Sequence, residues 1–236
     1  MDMTDRFCAL TAVLWDMDGT LIDSEPYWHE SELIIARDAG GDWDKEMAWQ
    51  CSGTPVPEVA RKMIERGTRL DADEIGRRMI AHVARREFER VPWIDGVLAV
   101  LESLSAAGIP SVLVTTSPRD MAVNLIAHAP AGSFAGYVCG DDEVAKKPDP
   151  APYLAAARIV GVDGSADADA MARLLAVEDS PTGLASAVAS GATTVAQTKY
   201  TQIDTSHGPQ FASWDGYDGV TAESCEALIR HRLCRR

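Results

Sequence analysis

The chain has 236 residues, 46% of them apolar, enough to bury a full core as one domain or as one domain carrying a smaller insert. Lys and Arg number 22 against 36 Asp and Glu, a net charge of −14 that offers no basic stripe and argues against a nucleic-acid partner. The 5 cysteines are widely spaced and lack a Cys-x-x-Cys pair, so neither a disulfide framework nor a zinc site is signalled. With no leader-like start and no apolar run near about 18 residues, the expectation is a cytoplasmic protein without membrane partners.

From the amino end, residues 12–16 read as a strand that runs into Asp16-Met17-Asp18-Gly19-Thr20-Leu21. Two carboxylates this close repel unless something neutralises them, and Gly19 permits the sharp turn that follows. Magnesium suits such hard oxygen ligands and keeps room in its shell for waters and a substrate phosphate. Helical patterns follow at 26–38, 44–50 and 57–65, and then Ile75, Met79, Ile80 and Val83 form one apolar face. No strand interrupts them. The stretch is too long for one crossover, so residues 24–91 read as a helical subdomain inserted into a core made of 1–23 and 92–236. Strand-like runs at 111–115, 137–139, 174–178 and 193–196 then alternate with helical patterns at 95–107, 119–127, 150–160 and 181–190. Gly108, Gly161 and Gly191 stop three of those helices. This is the rhythm of an α/β fold, a doubly wound parallel sheet covered by helices. Residues 164–172 read as a low-complexity connection or a short acidic helix, and 199–219 as a surface loop.

Further features align with the ends of these strands. Thr115-Thr116-Ser117 before Pro118 puts hydroxyls and free amides at a helix start, a natural phosphate cradle. Lys147-Pro148 follows the third strand, in a chain whose lysines are only Lys45, Lys62, Lys146, Lys147 and Lys199. Glu178-Asp179-Ser180 is a second acidic pair at a strand carboxyl end, where open α/β sheets bind ligands. Each has a bland reading when taken alone: a turn for Asp16 to Gly19, a strand residue for Thr115, a surface charge for Lys147, a helix cap for Glu178 to Ser180. Their order and placement let all four groups meet in one crevice. His82, His128, His207 and His231 show no ligand spacing and read as core or surface residues, and Trp43, Trp49 and Trp93 as packing residues of the helical subdomain and its hinge. Cys51 and Ser52 lie where a loop of that subdomain could face substrate.

The series Asp16-Met17-Asp18-Gly19-Thr20, Thr115, Lys147-Pro148 and Glu178-Asp179 resembles the four signature motifs of the haloacid dehalogenase superfamily. Within it the match is to the phosphatase and phosphomutase branch, with a helical cap after the first motif. The resemblance implies that Asp16 attacks phosphorus and forms an aspartyl-phosphate, while Asp18 protonates the leaving oxygen and later activates water. Thr115 and Lys147 would neutralise phosphoryl charge, and backbone amides near Gly19 and Thr116 would complete the cradle. Magnesium would be held by the Asp16 side chain, the Asp18 carbonyl and Asp179, with Glu178 behind them or bound through water. Dehalogenases lack the second aspartate, so Asp18 points to phosphoryl transfer.

The segment Asp23-Ser24-Glu25-Pro26-Tyr27-Trp28 resembles sugar-phosphate phosphatases. Mutase relatives carry a histidine where Trp28 aligns, and a loop arginine where this chain reads Ser52-Gly53-Thr54-Pro55-Val56-Pro57-Glu58. His29 is one residue off, about 100° round a helix. The implied function is magnesium-dependent hydrolysis of a small phosphorylated metabolite, with a sugar monophosphate expected, by a monomer or weak homo-oligomer. A sugar phosphomutase resembling β-phosphoglucomutase is the second reading, and a non-catalytic binding or regulatory module on the same fold is the third.

Overall fold

Strand β1 (Ala12–Trp15) is buried along its whole length, because both faces of the sheet it founds are covered by other elements. Its alternation sends Val13 and Trp15 into one core and Ala12 and Leu14 into the other. β2 (Ser111–Val114) and β4 (Leu174–Glu178) flank it in parallel. β3 (Phe134–Val138), β5 (Thr193–Gln197) and β6 (Ala212–Trp214) complete a parallel sheet of order β3-β2-β1-β4-β5-β6. The order reverses between β1 and β4, and at such a switch point the carboxyl ends of the strands open a crevice. The computed structural model describes residues 9–201, 204, 205 and 207–235, so Cys8 lies outside the described residues. Cys51, Cys139, Cys225 and Cys234 are free thiols, and no helix among the described residues is long and apolar enough to cross a membrane.

Helices α5 (Val97–Ala106), α6 (Arg119–His128) and α10 (Ala222–Cys234) cover the Trp15 face with Leu101, Leu125 and Ile229. The Leu14 face is covered by α7 (Ala151–Ile159), α8 (Ala168–Ala172) and α9 (Pro181–Ala189), through Tyr153, Met171 and Ala187. Four helices stand between β1 and α5: α1 (Glu25–Ala39), α2 (Lys45–Gln50), α3 (Val56–Glu65) and α4 (Ala72–Glu89). They bury a separate cluster that includes Ile35, Val59, Met63, Ile75 and Met79. The apolar face expected on α4 divides its work. Ile75 and Met79 join that cluster, whereas Val83 belongs to the core of the sheet and Ile80 packs against it.

Three elements differ from expectation. The loop expected at 199–219 contains β6, an edge strand of 3 residues with intermediate or exposed side chains and so with no apolar run to reveal it. β3 starts at Phe134 and ends at Val138 rather than spanning 137–139, and its half-exposed residues blur the pattern in the same way. Helix α10 was not expected at all. Its start carries a capping box made by Thr221 with Ser224 in place of the more legible Glu or Gln.

Candidate active site

Asp16 follows β1 directly, and its amide donates to the Val177 carbonyl of β4 at 3.0 Å, which pins it across the switch point. Lys147, between β3 and α7, reaches the same place. Its Nζ donates to Asp16 Oδ1 at 2.5 Å, to Glu178 Oε1 at 2.6 Å and to the Val114 carbonyl at 2.9 Å, which uses all three donors of an ammonium. Glu178 is fully buried, and its Oε1 also accepts from the Tyr153 hydroxyl at 2.6 Å. Its Oε2 accepts the Asp179 amide at 3.3 Å and the Ser180 hydroxyl at 3.4 Å. Lys146 turns elsewhere, donating to the Gly140 and Asp142 carbonyls at 2.5 and 3.0 Å.

Asp18 accepts from the Ser24 hydroxyl at 2.5 Å and the Ser117 hydroxyl at 2.7 Å. Ser24 immediately precedes α1 and Ser117 follows β2, so the carboxylate is gripped from the helical insert and from the sheet at once. Thr115 Oγ1 accepts the Ser117 amide at 2.9 Å, an acceptor role that leaves its hydroxyl proton to donate elsewhere. Gly19 has a φ of 81°, and a Cβ there would collide with the Asp179 carboxylate, so only glycine gives that carboxylate its room. The Gly19 amide itself donates to the Ile22 carbonyl at 2.8 Å, and its carbonyl accepts from Gln197 Nε2 at 3.1 Å. The phosphate contact expected of Gly19 is therefore not offered by its own amide, which closes the turn instead.

Asp16, Glu178 and Asp179 can each bring one oxygen within 4.8 Å of the others. Burial, and then the charge of Glu178, push Asp16 up to about 7 against the pull of Lys147. Burial, followed by the charges of Asp16 and Glu178, drives Asp179 well above the usual carboxylate range. Burial pulls Lys147 down, but Asp16 and Glu178 outweigh it and hold the ammonium above its ordinary value. One ammonium does not offset this many buried carboxylates, so the cluster is short of positive charge. Its donors are all hard oxygens, with no sulfur or imidazole among them, the set that suits magnesium rather than zinc. Glu178 is already engaged by Lys147 and Tyr153, whereas Asp16 and Asp179 keep oxygens outside those bonds.

A model of the haloacid dehalogenase-like hydrolases matches residues 10–191. The chain belongs to the haloacid dehalogenase-like hydrolase family. It is 27% identical over 179 residues to validoxylamine A 7'-phosphate phosphatase of Streptomyces hygroscopicus subsp. limoneus, covering 75% of this chain and 81% of that protein. It is 30% identical over 185 residues to hexitol phosphatase A of Escherichia coli, covering 78% and 81%. Among solved structures, CbbY of Rhodobacter sphaeroides shares the fold at a TM-score of 0.72 and 22% identity, over 89% of this chain and 96% of that one.

In this haloacid dehalogenase-like chain a cavity of about 550 Å³ joins the two halves, a size that accepts a small metabolite. Asp16, Asp18, Lys147 and Asp179 line one end, together with Thr116 and Ser117; Thr115 is buried and is not among the lining residues. The other end is walled by the helical insert, with Trp28, Cys51, Val59 and Met79 among its lining residues. His29 is not among its lining residues and lies 3.0 Å from Ser52 Oγ and 3.1 Å from Glu25 Oε2, against the ring of the exposed Trp49 at 4.9 Å. Neither Ser24 nor Ser117 stands out in the sequence as a holder of Asp18, although both lie within the motif segments. Tyr153 does not stand out at all: a tyrosine on the apolar face of α7 carries no signal of the carboxylate it will meet.

Proposed function

We propose that the chain is a magnesium-dependent phosphatase that hydrolyses a small sugar or polyol phosphate through an aspartyl-phosphate on Asp16. It is a phosphoric monoester hydrolase of the haloacid dehalogenase-like family, and the proposal adds metal, nucleophile and substrate class. One observation carries it: Asp16 and Asp18 face the same cavity, with the buried ammonium of Lys147 bound to the first of them.

The Asp16 carboxylate attacks phosphorus, forming a P–O bond as the ester P–O bond breaks. Asp18 gives the leaving alkoxide its proton and then takes one from the water that cleaves the phosphoryl-aspartate, returning Asp16 and inorganic phosphate. Lys147 supplies positive charge beside the phosphoryl oxygens, the Thr115 hydroxyl supplies a donor, and Ser24 and Ser117 hold the acid and base group in register. Asp16, Asp179 and the backbone carbonyl of Asp18 would hold magnesium, which when bound neutralises charge on the transferring phosphoryl group. Residues 24–91 serve as a cap over the core of 1–23 and 92–236, shielding the reaction from bulk water. Hydrolysis is favoured over mutase chemistry because the cap end of the cavity has no cationic side chain among its lining residues to grip a second phosphate.

The test is phosphate release from a panel of sugar, polyol, nucleotide and small-acid monophosphates, with magnesium or with chelator, for wild type and Asp16→Asn. Release that needs magnesium and vanishes in the variant is expected. Release that survives either treatment contradicts the proposal.

A further inference from the structure

Charge is distributed unevenly along the cavity. Both cations that line it, Lys146 and Lys147, come from the core. The wall built by α1 carries two carboxylates instead, Glu25 and Glu32. Glu25 is tied back, its Oε2 3.1 Å from His29 Nε2 and its Oε1 accepting the Gly53 amide at 3.1 Å. Glu32 is different. It is only 3% exposed, yet its hydrogen bonding within the described residues is one bond, from Trp43 Nε1 to Oε2 at 2.8 Å. Lys62 stands outside this wall, engaged with Glu58 at 3.6 Å and Cys51 Sγ at 3.9 Å. Trp28, Val59 and Met79 line the same wall, and the second oxygen of Glu32 has no hydrogen bond within the described residues. A buried carboxylate with spare acceptor capacity is costly to keep unless something polar meets it when the site is filled.

We infer that Glu32 is a specificity-determining residue that selects phosphomonoesters whose leaving group is a polyol ending in a protonated amine or a hydroxyl, and rejects those ending in a second anion. The inference rests on the phosphatase reading and deepens it. With the phosphate fixed beside Lys147, the far end of the substrate meets Glu32. With Glu32 ionised, an ammonium there gains a charge-assisted hydrogen bond, a hydroxyl gains a weaker one, and a carboxylate or second phosphate meets a like charge. Discrimination of this kind works by an unfavourable juxtaposition as much as by a favourable one.

Three matched six-carbon open-chain phosphates test it, differing only at the carbon farthest from the phosphate: 1-amino-1-deoxyglucitol 6-phosphate, glucitol 6-phosphate and 6-phosphogluconate. kcat/KM is measured with magnesium for wild type and Glu32→Gln. Dissociation constants are measured calorimetrically for Asp16→Asn and for Asp16→Asn combined with Glu32→Gln. Wild type is expected to favour the amine over the carboxylate by at least about tenfold, with the hydroxyl between them, and Glu32→Gln to shrink that ratio by about tenfold in both measurements. No preference in wild type overturns the inference, and so does a variant that weakens all three ligands equally, the mark of a purely structural Glu32. Failure of the phosphatase reading looks different: no phosphate is released from any substrate, while the binding ratios are still read from the Asp16→Asn proteins and decide the role of Glu32 alone.

Discussion

The two ends of the cavity are built to opposite rules. At the core end the charged groups are cross-tied around one ammonium: Lys147 to Asp16, Glu178 and a carbonyl, Glu178 to Tyr153, Asp18 to two serines, with the Asp179 carboxylate held, among the described residues, by the Thr20 hydroxyl alone at 3.4 Å. At the cap end the wall is apolar and its buried carboxylate, Glu32, has one hydrogen bond. A dense network fixes positions for chemistry, whereas a wall with few polar ties can change its selection without disturbing the reacting groups. Under the proposed function the reaction belongs to the sheet and the choice of leaving group to the helical insert.

Substitutions at the two ends sharpen that contrast. The largest effect is expected from Asp16→Asn, which removes the proposed nucleophile and should lower kcat by at least about 10³-fold on every substrate. A loss that depended on the leaving group would instead mix the roles of the two ends. Lys147→Met leaves Asp16 and Glu178 buried without their cation and should cost about 3 to 5 kcal/mol in urea unfolding as well as activity. A cost near zero would mean the network is not the rigid unit described. Glu32→Gln probes the other end through pH. Burial raises Glu32 from 4.5 to about 7, so the folded state holds that proton more tightly than the unfolded chain. Its contribution is full below about pH 4.5 and is lost as pH rises through 7, up to about 3 kcal/mol. Gln keeps an acceptor for Trp43 and has no proton to lose, so the variant should gain on wild type above pH 7 and match it near pH 4.5. A difference that stays flat with pH contradicts this. Smallest is Tyr153→Phe, which takes one donor from buried Glu178 and should cost about 1 to 2 kcal/mol while leaving substrate ranking intact.

What the sequence made legible follows the same division. Asp16, Asp18 and Asp179 stand just past strand ends and Lys147 in the loop between β3 and α7, in an order that topology brings together, so local pattern suffices to find them. Ser24 and Ser117 lie within the motif segments, yet their bonds to Asp18 depend on how the first turn of the insert meets the loop after β2. Tyr153 and Glu32 depend wholly on tertiary placement: the one reads as an apolar helix residue, the other as a helix-surface acid. The strands found correctly are those buried on both faces, β1, β2, β4 and β5. Those blurred, β3 and β6, lie at the sheet edges, where exposure dilutes the apolar run and half the signal is lost.

The most direct test of the central claim is to stop the reaction with acid during turnover of a good substrate and locate the phosphoryl group by mass spectrometry of the peptides. The account predicts one phosphoryl group on Asp16, formed with magnesium and absent from Asp16→Asn. A phosphoryl group on another residue, or phosphate release at the wild-type rate by Asp16→Asn, would contradict it.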